Sequence, residues 1–178
     1  MHQIIHRIGK SCIELIVGDI TKQDTKAVVN AANSQLAPGG GVAGAIHAAA
    51  GPQLWEECRT LNGCNTGEAK ITRGYLLPAE YVIHTVGPVY SNSPSDPIDL
   101  SNCYQNSLRL ASQNNIDSIS FPSLSTGAFG YPVQKAAEAA LQTVFCCLKE
   151  NQDIKLVRFV LFSPQDFKAY RNVLEKIT

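Results

Sequence analysis

The chain has 178 residues, enough to bury one sizeable core, and nothing in that length demands a second, so a single domain over residues 1–178 is expected. Hydrophobic residues make up 44% and charged residues 17%, which excludes a disordered or fibrous chain. Fifteen basic residues balance fifteen acidic ones without any Lys/Arg run, so unselective gripping of a nucleic-acid backbone is not expected.

Short β-branched runs alternate with longer helical stretches, the pattern of an α/β sheet covered on both faces. In chain order the pattern predicts strands at Gln3–Ile8, Ile13–Val17 and Ala27–Asn30, then helices at Val42–Ala50 and Pro52–Leu61. A strand at Tyr81–Thr85 follows, then a surface loop at Ser91–Pro97 dense in turn formers, and a helix at Asp99–Asn114. The last third reads as strand Ser118–Phe121, helix Val133–Glu150, strand Leu156–Leu161 and helix Gln165–Ile177. The clearest helix is Val133–Glu150, where Ala136, Ala137, Ala140, Leu141, Val144 and Leu148 recur at three- and four-residue spacing and form a sheet-facing stripe.

The opening Met1–Arg7 lacks the apolar core and cleavage site of a signal peptide, and no apolar run approaches membrane-spanning length. An intracellular, cytoplasmic protein without a membrane partner is expected. The six cysteines show no Cys-x-x-Cys pair and no zinc-ligand spacing, so reduced thiols and no metal site are expected. Of the adjacent Cys146 and Cys147, at least one is expected in the core, because neighbours on a helix point to different sides.

Two glycine-rich segments carry the chemistry. Gly39, Gly40 and Gly41 stand at the expected start of a helix, followed by Val42, Ala43, Gly44 and His47. Glycines let a backbone approach a ligand closely, and the positive end of a helix dipole favours an anion, so this is an anion cradle. Ser125-Thr126-Gly127-Ala128-Phe129 follows an apolar run and precedes another helix, so it repeats the arrangement. Two cradles suggest a diphosphate. Each follows a strand, so in an open α/β sheet they should meet at the carboxyl ends of the strands.

Gly39, Gly41 and Gly44 also match G-x-G-x-x-G, the fingerprint of a nicotinamide or flavin oxidoreductase. In that fingerprint the loop follows the first strand tightly, whereas here Ala31–Pro38 intervene and a strand pair precedes it. Asn33 offers a donor and an acceptor suited to a ribose hydroxyl pair, or to its own turn.

These residues resemble the macrodomain, the ADP-ribose-binding module, and within it the MacroD-type branch. The resemblance runs nearly end to end. It rests on Gly18-Asp19-Ile20-Thr21, Val29-Asn30-Ala31-Ala32-Asn33, Gly39-Gly40-Gly41-Val42 with Gly44-Ala45-Ile46-His47, Ala50-Gly51-Pro52, Thr66-Gly67-Glu68-Ala69, and Phe121-Pro122 through Ser125-Thr126-Gly127 to Gly130-Tyr131-Pro132. It implies a three-layer α/β/α fold with a mixed central sheet. The implied ligand is ADP-ribose, with no metal or redox cofactor, held by Asp19 and Ile20 at the adenine, the two glycine loops at the diphosphate, and Asn33 at the distal ribose. Phe162 is implied against the adenine and Phe129 against the distal ribose. Read without the resemblance, Asp19 is a turn or capping residue and Phe162 the buried end of a core strand.

The family usually carries aspartate between the valine and glycine of the first loop, where this chain has Gly41-Val42-Ala43-Gly44. That aspartate is thought to orient or activate the water that cleaves the ester joining ADP-ribose to a protein carboxylate, or the acetyl ester of O-acetyl-ADP-ribose. Alanine at 43 predicts weakened catalysis or a catalytically silent reader. His47 lies four residues on, on the same helix face, and is either a substitute base or an organiser of the pocket. The implied partners are ADP-ribose, mono-ADP-ribosylated proteins or O-acetyl-ADP-ribose, with nucleic acid expected only at ADP-ribosylated ends, and the chain is expected to be a monomer.

Overall fold

A computed structural model describes residues 2–178. Seven strands form one sheet: β1 (Gln3–Ile8), β2 (Ser11–Val17), β3 (Ala27–Ala31), β4 (Ala69–Arg73), β5 (Tyr81–Thr85), β6 (Ser118–Phe121) and β7 (Leu156–Leu161), in the order β1-β2-β7-β6-β3-β5-β4. The five central strands are parallel, and β1 and β4 close the two edges antiparallel. The helices are α1 (Gly41–Ala50), α2 (Gln53–Cys58), α3 (Asp96–Gln113), α4 (Val133–Glu150) and α5 (Pro164–Ile177).

The sheet carries helices on both faces, as the residue pattern predicts, and is mixed, as the resemblance implies. Successive residues of a strand point to opposite faces, so Val29, Ile83, Phe121, Phe159 and Leu161 pack against α3, α4 and α5. Val28, Val82 and Val160 pack on the other side with Ile46, Ala50, Leu54 and Cys58 of α1 and α2. The same face of β2 and β7 also carries charged side chains. There Glu14 pairs with Arg158 at 2.6 Å, and Arg158 reaches Gln23 and Asp24. All six stripe residues of α4 are buried.

The structure differs from expectation in several places, beginning with the elements. β4 was not expected, because Ala-Lys-Ile-Thr-Arg lacks an apolar run; its pairing with β5 makes it an edge strand. The α3 helix starts at Asp96, inside the stretch expected as loop, since Pro97 is tolerated in a first turn and the Asp96 carboxylate accepts the Ser91 and Ser93 amides. The α2 helix ends at Cys58 and continues as a 3₁₀ turn to Leu61. Cys146 is exposed and Cys147 only half-buried, because the apolar stripe of α4 passes beside both rather than through either.

Candidate functional site

Because β2, β7, β6, β3 and β5 are parallel, their exit loops gather along one edge of the sheet. Gly18–Ile20 leave β2, Phe162 leaves β7, Pro122–Pro132 leave β6, Ala32–Gly40 leave β3, and Val86–Ser95 leave β5. The crossovers diverge at the centre: from β3 the chain runs to β4 and back to β5 on one side, and from β6 to β7 on the other. Such a switch point opens a crevice at the carboxyl edge. From β2 to β3 is three strand steps, roughly 14 Å, so a ligand touching both Asp19 and Asn33 must be elongated.

The first loop has a fixed shape with local causes. Leu36 is fully buried with φ +58°, anchoring the loop in the core beneath α1. Asn33 closes the turn over it through hydrogen bonds to both polar atoms of the Ala37 backbone. Gly44 has no room for a side chain, since a Cβ there would stand 2.3 Å from the Gly39 carbonyl oxygen. The α1 helix begins behind this loop at Gly41, one residue earlier than expected, and no side chain caps it. Its first amides are therefore free for an anion. A Cβ on Gly40 or Gly41 would meet nothing within 4 Å, so the backbone opens onto empty space.

The second loop does not repeat the helix-start arrangement expected of it. The α4 helix starts at Val133, six residues after Gly127, so its amides belong to a turn rather than to a helix end. Gly130 N–H donates to the Gly127 carbonyl and Tyr131 N–H to the Ser125 carbonyl. Gly127 likewise opens onto empty space. No lysine or arginine lies in 31–44 or 122–132, so any anion here is held by amides and dipoles rather than by cations.

Toward the β2 end, Asp19 begins a 3₁₀ turn, its Oδ1 accepting the Thr21 amide at 2.9 Å and hydroxyl at 2.7 Å. The two Thr21 hydrogen bonds hold its carboxyl below the usual carboxylate range. Ile20 is buried beside it. Phe162 is 93% exposed, which overturns the reading of this ring as core: β7 ends one residue earlier and Ser163 already caps α5. Thr126 and Phe129 are half-buried, Ala128 is exposed, and the Phe129 carbonyl accepts the Tyr90 amide at 2.9 Å.

On α1, Ala43 is 5% exposed and His47 7% exposed. The His47 ring lies 6.5 Å from that of His84 on β5, and neither of its nitrogens has a partner among the described residues. Burial pushes its pKa down. His84 is fully buried and meets Asn30, Thr72 and Cys58, and burial pushes it down to about 3. No set of three or more His, Cys, Asp or Glu among the described residues could hold a metal ion. Sequence reasoning missed Gly87 and Tyr90, which brace the second loop; the Gly87-Pro88 pair after β5 is a turn signal that marks the first of them.

The family model of the Macro domain matches residues 29–140. The chain is 53% identical over 162 residues to the ADP-ribose glycohydrolase MACROD2 of Xenopus laevis, covering 89% of this chain but only 39% of that protein. It is 52% identical to the Macro domain-containing protein CT2219 of Chlorobaculum tepidum, covering 91% of this chain and 95% of the other. The Oceanobacillus iheyensis macrodomain, solved with ADP, superposes with a TM-score of 0.95 at 45% identity over 98% of this chain and 96% of that one. It has also been solved as an asparagine-to-alanine mutant, as a glycine-to-valine mutant with ADPR, and as an aspartate-to-alanine mutant; the three mutated positions are separated by seven and then three residues. The sequence match and the shared fold together show that this chain belongs to the macro domain family.

Proposed function

We propose that this chain binds ADP-ribose along the carboxyl edge of its sheet and belongs to the branch that hydrolyses ADP-ribosyl esters, with slow chemistry of its own. The observation that carries the binding is the open space before Gly40, Gly41 and Gly127, at the exits of the two central strands. A diphosphate fits there, between an exposed Phe162 for the adenine at one end and Asn33 for the distal ribose at the other. The ADP seen in the O. iheyensis structure supports this reading, as does the glycohydrolase name of the MACROD2 relatives. No metal or redox cofactor is needed for ester hydrolysis.

Slow chemistry is supported by composition. Residues 31–50 and 118–135 contain no aspartate or glutamate, so neither loop supplies a carboxylate base. Asn33, Gly40 and Ala43 have the same seven-and-three spacing as the mutated asparagine, glycine and aspartate of the O. iheyensis protein, which supports alanine standing where that protein has aspartate. The remaining route lets Asn33 position a water that the substrate's own phosphate helps deprotonate. His47 organises the seat of α1 on the sheet, given its burial and its unpartnered ring. A reader that binds without turnover is the alternative, favoured by the same lack of carboxylates.

The test is calorimetric titration of the protein with ADP-ribose and with intact NAD. Binding of ADP-ribose in preference to NAD is expected. Preference for NAD would instead favour an oxidoreductase, and an unchanged ADP-ribose affinity in both Asn33→Ala and Gly127→Glu would place the ligand elsewhere.

A further inference from the structure

Ser125 is the one residue of the second loop whose backbone and side chain both sit at a disadvantage. Its φ is +67°, a region that favours glycine, and its hydroxyl is buried without a hydrogen-bond partner among the described residues. Such features persist where the surroundings over-determine them, and they cluster at functional sites.

What determines Ser125 is Gly87. A Cβ on Gly87 would lie 2.1 Å from the Ser125 Oγ and 3.4 Å from its Cβ, so the hydroxyl fills the space that a side chain at 87 would need. Ser125 leaves β6 and Gly87 leaves β5, and β3 runs between those strands. The contact therefore bridges the end of β3, beside the exit of the first glycine loop. The two loops are joined again where Tyr90 N–H donates to the Phe129 carbonyl, and Tyr131 N–H closes the turn onto the Ser125 carbonyl, both at 2.9 Å.

We infer that Ser125 is a positioning residue: wedged against Gly87 across the end of β3, it pre-sets the amides of Thr126–Phe129 to receive the ligand's phosphate. The identity of that ligand rests on the ADP-ribose reading above; the wedge itself rests on the geometry. The backbone bonds of this turn run within it or to Tyr90, so the wedge is a side-chain contact that adds to them by fixing where the turn starts, and each residue left to order on binding weakens affinity.

The experiment compares wild type, Ser125→Gly, Gly87→Ala and the double variant by amide hydrogen exchange at 126–129, thermal melting and ADP-ribose calorimetry. Glycine at 125 suits the left-handed backbone but adds freedom to the unfolded chain, and these effects oppose, so the melting temperature stays near wild type. Exchange at 126–129 should nonetheless accelerate, and affinity should fall roughly 5- to 30-fold, the equivalent of about one residue's backbone order. Gly87→Ala should drive the wedge out and loosen the same amides. In the double variant the space vacated at 125 accepts the new Cβ, so exchange protection and affinity should recover relative to Gly87→Ala alone. The inference is overturned if Ser125→Gly leaves both exchange and affinity at wild-type values, or if the double variant shows no recovery. A wild-type protein that binds no ADP-ribose overturns the ligand reading instead, and the exchange rates still decide the wedge.

Discussion

Asn33 and Ala37 are joined by two hydrogen bonds of 2.9 Å each: the Asn33 Nδ2 donates to the Ala37 carbonyl, and its Oδ1 accepts the Ala37 amide. The side chain expected at a ribose is thus also the brace of the loop that carries Gly39–Gly41. Asn33→Ala removes both bonds, at about 1 kcal/mol each. It should lower the melting temperature by several degrees and ADP-ribose affinity by about 10-fold or more. Asn33→Asp keeps the acceptor for the Ala37 amide but turns a second oxygen on the Ala37 carbonyl, so it should not restore wild-type stability. Equal melting temperatures for wild type and Asn33→Ala would show that the brace contributes nothing.

Gly44 and Gly127 should separate folding from binding. A Cβ at 44 meets a backbone carbonyl oxygen at 2.3 Å, which has no rotamer by which to move away, whereas a Cβ at 127 meets nothing. Gly44→Ala should destabilise by about 1–3 kcal/mol, read as a drop of roughly 2–12 °C in melting temperature. Gly127→Glu should leave melting unchanged and abolish measurable ADP-ribose binding, by filling the crevice and placing a carboxylate against the diphosphate. Both outcomes can be read from one melting and calorimetry series.

Phe162 offers a cleaner separation. With the ring 93% exposed, Phe162→Ala removes almost no buried surface, and its effect on stability should stay within about 0.5 kcal/mol. Loss of an adenine stacking partner should still weaken ADP-ribose by about 1–3 kcal/mol, or roughly 5- to 150-fold. Ribose 5-phosphate, which lacks the base, should bind the variant and wild type alike. An ADP-ribose affinity unmoved by the substitution would remove Phe162 from the site.

Ala43→Asp tests the chemistry. The third residue of α1 lies in a first turn without a side-chain cap, where the helix dipole favours a carboxylate by about 0.3–1 kcal/mol. Release of ADP-ribose from a glutamate-linked mono-ADP-ribosylated protein should rise on the order of 10²- to 10⁴-fold over this chain at matched concentration. Similar rates in both proteins would mean that the aspartate is dispensable and the water is activated by Asn33, His47 or the substrate itself.

The buried histidines predict acid sensitivity. Burial holds His47 below its ordinary pKa and His84 down to about 3, while the unfolded chain takes up both protons near pH 6.5. The stabilisation is therefore complete above about pH 6.5 and is lost as pH falls below it, by about 1.4 kcal/mol per pH unit for each histidine that stays neutral when folded. Melting temperature should decline steadily from pH 7 to pH 5. His47→Leu should flatten that slope while costing little at pH 7.5, where the ring has no hydrogen bond to lose. A melting temperature constant over that range would contradict the assignment.

Most of the helices and central strands, and the family, are legible in the sequence. Periodic stripes such as Ala136 to Leu148 specify a helix face, because burial on one side of a 3.6-residue repeat is a local pattern. The openness of the glycine loops was legible for a similar reason, since only small residues leave backbone uncovered. What the tertiary structure decided involves partners distant along the chain. The Ala69–Arg73 strand exists through its pairing with β5, and the α3 start at Asp96 through a carboxylate folding back on Ser91 and Ser93. Phe162 is exposed and His47 buried according to what packs beside each, which no single-chain pattern encodes. The contact of Ser125 with Gly87 across the end of β3 belongs to the same class, because close packing between loops 38 residues apart is set by strand order and not by local residue preference.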